Sequence, residues 1–137
     1  MNVFTYGSLM FADVWNAVVR GYYSGSVGRI KGFVRRRVKN ETYPALIHSA
    51  SNDVLQGYIY FNVSKLDLNR LDRFEGDYYQ REIVKVALEE GASTNAAVYV
   101  FKDEHAGLVD EEPWDVNWFE REGLAMFLRA YKGFLKN

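Results

Sequence analysis

The stretch VLQGYIYFNVSKLDLNRLDRFEG, residues 54–76, sets a strand directly before the clearest helix of the chain. Its first half is rich in β-branched and aromatic residues, which is typical of a strand, and Gly57 within it indicates a bulge or a close backbone approach. Ser64 is a favourable N-cap, Asp67 resembles the third position of a capping box with Asp in place of Glu, and Gly76 is well placed to end the helix. We therefore predict a strand over residues 54–63 and a helix over residues 64–75.

Periodicity and turn residues predict the other elements on either side of this stretch. Further strands are expected over residues 2–6, 27–38, 43–48, 79–88 and 96–101. Further helices are expected over residues 13–20 and 115–135, with an acidic loop over residues 103–113. We find no repeat and no linker, so residues 1–137 are expected to form one domain. Strands and helices joined mostly by short turns predict an α+β fold, a small mixed β-barrel or curled sheet with flanking helices.

The composition excludes several classes of site. The chain has 137 residues, 48% of them hydrophobic, which is enough for one core. It has no cysteine, so a disulfide framework, a thiol nucleophile and a thiolate metal site are excluded. His48 and His105 are isolated, and we expect no metal and no cofactor. No apolar run approaches the ~18 residues of a membrane span, and the N-terminus lacks a signal-peptide pattern, so we expect a cytoplasmic protein without a membrane partner.

Charge is unevenly distributed along a chain whose formal net charge is −1. Residues 14–40 contain seven bases and no acid, whereas residues 103–122 contain eight acids and one base. These regions are expected to pair across the surface or to be solvated separately. The basic segment Arg29–Lys39, with aromatic residues nearby, is a weak candidate for binding single-stranded nucleic acid. Because consecutive strand residues point to opposite faces, we expect a solvated edge, or a rim that steers anionic substrates, and no nucleic-acid partner.

Glu75 is the first candidate for chemistry. On a helical wheel with Leu68 at zero, Leu71 falls at ~300° and Glu75 at ~340°, on the face that should be buried. A buried carboxylate is costly unless it is paired or functional. The structural alternative is that Glu75 snorkels to solvent at the helix end or pairs with Arg73 or Arg81. Burial and the C-terminal end of the helix dipole both raise the pKa of Glu75, which suits general acid–base catalysis near neutrality.

The loop Tyr6-Gly7-Ser8-Leu9 is the second candidate. It interrupts the chain between a predicted strand and a predicted helix. Glycine permits a close backbone approach, and successive free N–H groups at such a junction form a nest for a carboxylate or a developing oxyanion. An ordinary turn is the alternative interpretation of the same residues.

Four segments in order resemble the γ-glutamylcyclotransferase-like superfamily. They are NVFTYGSLM (residues 2–10), YPAL (43–46), LQGYIY (55–60) and LDRFEGDYYQR (71–81). The ending, with Trp-Asp at 114–115, Trp118 and a long helix, is similar to the plant avirulence-induced branch and its bacterial relatives. The resemblance covers nearly the whole chain.

The resemblance implies a small mixed barrel whose loop, from Tyr6 through Gly7, Ser8, Leu9 and Met10 to Phe11, binds a γ-glutamyl group through backbone N–H groups. It implies that Glu75 is the catalytic acid/base. The implied reaction is intramolecular: the α-amine of the γ-glutamyl group attacks its own γ-carbonyl and releases 5-oxoproline and a free amine, with no metal or cofactor.

Three further residues are secondary candidates for the pocket. Tyr79 and Tyr99 are candidate pocket hydroxyls, although a core or strand aromatic is their commoner role. Arg81 is a candidate partner of a substrate carboxylate, although a structural salt bridge is commoner. The leaving amine is not identified, because a γ-glutamyl-ε-lysine isopeptide, a γ-glutamyl amine, a γ-glutamyl amino acid and glutathione all carry the same reactive group. The oligomeric state is also left open. A non-catalytic module that binds a γ-glutamyl compound or carboxylate on the same fold is the alternative to an enzyme.

Overall fold

The computed structural model describes residues 1–131. Its strands are β1 (Val3–Thr5), β2 (Gly25–Lys31), β3 (Phe33–Val38), β4 (Pro44–His48), β5 (Val54–Tyr60), β6 (Tyr79–Ala87), β7 (Ser93–Phe101) and β8 (Val109–Pro113). Its helices are α1 (Ala12–Val18), α2 (Lys65–Glu75), α3 (Val116–Trp118) and α4 (Leu124–Tyr131). Five strands close into a barrel in the order β1-β5-β2-β6-β7, and the other three form a sheet in the order β4-β3-β8. The predicted α+β fold, a small mixed barrel with flanking helices, is confirmed.

The barrel is mixed because β1 runs antiparallel to β5 and parallel to β7. Gly57 of β5 lies where β1 passes closest, and a Cβ built on Gly57 would collide with the carbonyl oxygen of Thr5. The close approach predicted at this glycine is therefore confirmed. It matters for the site because β1 leads directly into the loop that begins at Tyr6.

Two hydrophobic clusters hold the fold together. One fills the barrel and includes Phe4 and Ile59, which are almost fully buried. The other joins the barrel to the helices and includes Trp15, Leu71 and Phe127. The second cluster fixes the end of α2 and the C-terminal helical segment against the mouth of the barrel.

The single strand predicted over residues 27–38 is wrong. Gly32 has φ +87°, a left-handed conformation that favours glycine, and it separates β2 from β3. The two strands enter different sheets, since β2 pairs with β5 and β3 pairs with β4. The apolar–basic alternation was continuous through the break and therefore concealed it.

The acidic loop predicted over residues 103–113 is also wrong, since a 3₁₀ helix (Asp103–Leu108) is followed there by β8. Strand β8 pairs antiparallel with the basic strand β3. Arg36 Nη1 donates to the carbonyl oxygen of Glu111 at 2.6 Å. The acidic and basic regions therefore meet as neighbouring strands, although no ion pair found within residues 1–131 joins their side chains.

The N-cap of α2 is confirmed, but the capping box is not. The Ser64 hydroxyl accepts from the amide of Asp67 at 3.1 Å, whereas the Asp67 carboxylate turns away from Ser64. It accepts instead from the amides of Arg20 and Gly21, from a tyrosine hydroxyl and from an arginine. Burial alone would raise the pKa of Asp67, but these four donors hold the pKa at about 2. Asp67 thus ties the end of α1 to α2.

The closing helix predicted over residues 115–135 is present but irregular. Asp115 caps it by accepting from the amides of Asn117 and Trp118. A π-helical segment, Phe119–Gly123, joins α3 to α4. Residues 132–135 of the predicted helix lie outside the described residues. None of the helices within residues 1–131 is long and apolar enough to cross a membrane.

Candidate active site

A cavity of about 520 Å³ opens where β1, the end of α2, β4 and α4 meet. Most of the candidate site residues line it. They are Tyr6, Gly7, Ser8, Leu9, Glu75, Tyr79 and Tyr99. The fold thus brings together a loop and a helix end that are about seventy residues apart in sequence.

The loop after β1 offers backbone donors to this cavity. Residues Ser8–Met10 form a short 3₁₀ turn. Its two backbone bonds are donated by Met10 to the Gly7 carbonyl at 3.0 Å and by Phe11 to the Ser8 carbonyl at 3.1 Å. The amides of Gly7, Ser8 and Leu9 find no acceptor among residues 1–131. Three consecutive N–H groups at the cavity wall are therefore free to bind an anion or an oxyanion.

Gly7 is required by the space that Pro44 occupies. A Cβ on Gly7 would lie 2.7 Å from Cγ and 2.8 Å from Cδ of the Pro44 ring. Pro44 begins β4, and its carbonyl accepts from the hydroxyl of Tyr79 at 2.6 Å. The loop can approach β4 this closely only because residue 7 has no side chain.

Glu75 is the last residue of α2, directly before Gly76, whose φ is +77°. Leu68 and Leu71 are buried on the same helix face, as the helical wheel predicts. Glu75 itself is half-buried, and its carboxylate has no hydrogen bond or ion pair with any residue in the described part of the chain. Arg81, one of the partners considered from the sequence, pairs with Asp72 instead.

The environment of Glu75 disfavours its charged form. Burial, together with the negative charge of Asp72 one turn earlier, raises the pKa of Glu75 from its ordinary 4.5 to about 8. The direction agrees with the sequence-based prediction. A carboxyl with such a pKa exchanges its proton readily near neutral pH, as a general acid–base catalyst must.

Tyr6, Tyr79 and Tyr99, the tyrosines of the cavity wall that were candidates from the sequence, use their hydroxyls within the protein. Tyr6 donates to the carbonyl of Tyr99 at 2.6 Å, and Tyr79 donates to Pro44. Tyr99 donates to Asp72 Oδ1 at 2.7 Å. Burial is the main cause that raises the pKa of each hydroxyl. These side chains therefore line the cavity and also tie its walls together.

Three residues of the predicted site lie outside the cavity lining. Met10 packs against the core, and the ring of Phe11 lies 5.2 Å from that of Phe119. Arg81, on β6, places Nε 2.8 Å from Asp72 Oδ1. The cavity wall from the candidate loop therefore consists of Tyr6 through Leu9.

The far wall of the cavity was missed by the sequence reasoning. It carries several aromatic and charged side chains, namely Tyr43, Arg73, Asp77, Tyr78, His105, Phe127 and Tyr131. They come from four separate parts of the chain, and their local patterns are those of ordinary core or surface residues. Within residues 1–131, no group of three or more acidic or histidine side chains is arranged to hold a metal ion.

The chain matches a family of known proteins. Residues 3–116 match the model of the family described as gamma-glutamyl cyclotransferase, AIG2-like. AIG2-like protein D of Arabidopsis thaliana is 34% identical over an alignment of 119 positions, which covers 82% of this chain and 78% of that protein. Protein AIG2 C of the same plant is 31% identical over 84% of this chain and 72% of its own length.

Solved structures share the fold. A solution structure of an Arabidopsis thaliana protein superposes with a TM-score of 0.71, at 22% identity, over 96% of this chain and 79% of that one. A gamma-glutamyl cyclotransferase superposes with a TM-score of 0.68, at 19% identity, over 100% of this chain and 89% of that one. At these identities the likeness concerns the fold alone.

Proposed function

Because the chain belongs to the gamma-glutamyl cyclotransferase, AIG2-like family, we propose that it releases 5-oxoproline from a small γ-glutamyl compound, with Glu75 as general acid/base. The observation that carries this proposal is that Glu75 and the amides of Gly7, Ser8 and Leu9 line the same cavity, and that neither the carboxylate nor these amides have a partner among residues 1–131. One group can move a proton, and the others can bind negative charge.

The proposed reaction forms one C–N bond and breaks another. Glu75 takes a proton from the α-ammonium of the γ-glutamyl group, and the free amine attacks the γ-carbonyl carbon of the same group. The carbonyl oxygen becomes an oxyanion, which the free amides stabilise. Glu75 returns the proton to the leaving nitrogen, and the γ-amide bond breaks. The new lactam nitrogen then gives its surplus proton to the released amine, which leaves as an ammonium ion. The acyl group passes to the substrate's own amine, so the reaction is an acyl transfer without a cofactor.

The high pKa of Glu75 supports both halves of this proton transfer. With the pKa at about 8, the ionised and neutral forms are both populated near neutral pH. An ordinary glutamate would be almost fully ionised there and a poor proton donor to the leaving nitrogen. Because the nucleophile belongs to the substrate, the protein supplies orientation and proton transfer rather than a covalent intermediate.

Turnover on a panel of γ-glutamyl compounds tests the proposal. The panel contains a γ-glutamyl-ε-lysine isopeptide, γ-glutamyl amines, γ-glutamyl amino acids and glutathione, and 5-oxoproline is quantified by chromatography. We expect release from at least one class, and a loss of about 10²-fold or more in kcat/KM for Glu75→Gln.

Glu82→Gln is the matched control. Glu82 pairs with His48 at 2.9 Å and does not line the cavity. This variant should keep wild-type turnover, and circular dichroism establishes that both variants are folded. Release that survives Glu75→Gln, or ligand binding across the panel without any release, would overturn the proposal.

A further inference from the structure

Asp72 is the meeting point of two polar contacts beside the candidate site. Its Oδ1 atom accepts from the hydroxyl of Tyr99 at 2.7 Å and lies 2.8 Å from Nε of Arg81. Asp72 precedes Glu75 by three residues on α2, and side chains at this spacing are neighbours on one helix face. One carboxylate of this face is thus held by a donor and a cation, whereas the other lines the cavity and has no partner among residues 1–131.

Tyr99 connects this pair of contacts to the loop. Its hydroxyl holds Asp72, and its backbone carbonyl accepts from the hydroxyl of Tyr6 at 2.6 Å. The carbonyl of Tyr6 in turn accepts from Arg35 at 2.8 Å. A continuous set of contacts therefore runs from the end of α2, across β7, to the residue that precedes the free amides.

We propose that Asp72, held by Arg81 and Tyr99, is a positioning residue whose fixed negative charge keeps Glu75 a strong enough base to take a proton from the substrate's ammonium group. The proposal rests on the proposed function for the role of Glu75. The geometry that supports it is the helical spacing of the two carboxylates and the two contacts that prevent Asp72 from turning away.

Other titratable groups also face Glu75, from every element around the cavity. They are Tyr6 from the loop, Tyr79 from β6, Tyr99 from β7 and Tyr131 from α4, with Tyr43, Arg73, Asp77, Tyr78 and His105 elsewhere on the wall. Burial raises the pKa of the first four, so these hydroxyls stay neutral near pH 7. Burial is the largest cause that raises the pKa of Glu75, and the negative charge of Asp72 is the second.

An electrostatic role and a purely structural role predict different results for two substitutions. Asp72→Asn removes a negative neighbour and should lower the pKa of Glu75. Arg81→Gln removes the positive charge that offsets Asp72 and should raise it. If the network only fastened α2 to the barrel, both substitutions would loosen the same contact and change Glu75 in the same direction.

The test is a ¹³C NMR titration of the Glu75 side-chain carboxyl in the intact protein without substrate. We expect a downward shift of the pKa by about one unit in Asp72→Asn and an upward shift in Arg81→Gln. Arg81→Lys should return the value toward wild type. Lys85→Gln, which removes an exposed cation from the same strand, is the control and should leave the titration unchanged.

The proposal is overturned if the pKa of Glu75 is unchanged in Asp72→Asn and Arg81→Gln, or if it shifts in the same direction in both. If Asp72→Asn does not fold, the two Arg81 variants decide: the pKa must rise in Arg81→Gln and return toward the wild-type value in Arg81→Lys. The titration needs no turnover, so it separates this proposal from the proposed function. If the pKa of Glu75 shifts in opposite directions in the two variants but no 5-oxoproline is released, the influence of Asp72 on Glu75 is supported and the proposed reaction is refuted. If 5-oxoproline is released and this release depends on Glu75, but the pKa shifts are absent, the proposed reaction is supported and the positioning role of Asp72 is refuted.

Discussion

Replacing Glu75 by Gln should stabilise the protein increasingly as pH rises. Glutamine resembles the protonated carboxyl in shape and cannot ionise. In the wild type, the pKa of Glu75 is raised from 4.5 in the unfolded chain to about 8 in the folded state. Below pH 4.5 Glu75 is protonated in both the folded and the unfolded state, and the protonated side chain makes its full contribution to the stability of the fold. Between pH 4.5 and 8 the unfolded state releases the proton first, so the wild type loses this stability, and above pH 8 the loss is complete.

The size of the effect follows from the size of the shift. At 1.36 kcal/mol per pKa unit, the full shift corresponds to an upper limit of about 5 kcal/mol in the free energy of unfolding. The carboxylate is half-buried and reaches solvent in the cavity, which reduces the penalty for its charge. We therefore expect Glu75→Gln to gain roughly 2–3 kcal/mol relative to the wild type between pH 4.5 and pH 8.5.

Urea unfolding monitored by tryptophan fluorescence at several pH values measures this difference directly. Subtracting wild type from variant cancels the titration of groups that the substitution does not touch. Glu82→Gln, at a residue that pairs with His48 and does not line the cavity, should show no comparable rise. A stability difference for Glu75→Gln that is independent of pH would refute the reasoning that Glu75 is held in its neutral form.

Three other substitutions probe the supports of the site. Gly7→Ala should place its Cβ 2.7 Å from the Pro44 ring, lower the free energy of unfolding in urea by about 1–3 kcal/mol and raise KM. Gly107→Ala, whose Cβ would meet no atom of residues 1–131 within 4 Å, is the control and should be neutral in both assays. Asp67→Asn should destabilise the protein at pH 7 and lose this effect progressively as pH falls from about 4 to about 2, because the pKa of the carboxylate is 3.8 in the unfolded chain and about 2 in the native protein. A destabilisation that stays constant across that range would contradict the assignment. Tyr79→Phe removes the hydrogen bond to the Pro44 carbonyl and should lower the free energy of unfolding by about 1 kcal/mol, measured by thermal unfolding. An unchanged Tm would show that this bond contributes nothing to stability.

Local signals allowed part of the fold to be predicted from sequence. Helix α2 was found because its N-cap Ser64, its apolar spacing and its terminal Gly76 all lie within one segment. The partial burial of Glu75 followed from the same spacing. The break at Gly32 was missed because the alternation continues through it, and only the pairing of β3 with a different sheet exposes it.

Contacts between distant segments explain the remaining errors and omissions. Strand β8 has an acidic sequence with weak strand character, and it becomes a strand because β3 offers a free edge. Asp67 resembled part of a capping box, but the donors at the end of α1 lie more than forty residues away in sequence. Asp72 carries no local signal at all, because its partners Tyr99 and Arg81 reach it only through the barrel.

The most direct test of the central claim is to locate a γ-glutamyl ligand on the protein. A ¹⁵N NMR titration of the Glu75→Gln variant with the best compound of the panel is suitable, because this variant should bind without turning the compound over. We expect the largest amide shifts at Gly7, Ser8 and Leu9, whose N–H groups find no acceptor within residues 1–131. Saturable shifts that cluster elsewhere and leave these three amides unmoved would contradict the claim that the loop and Glu75 form one site.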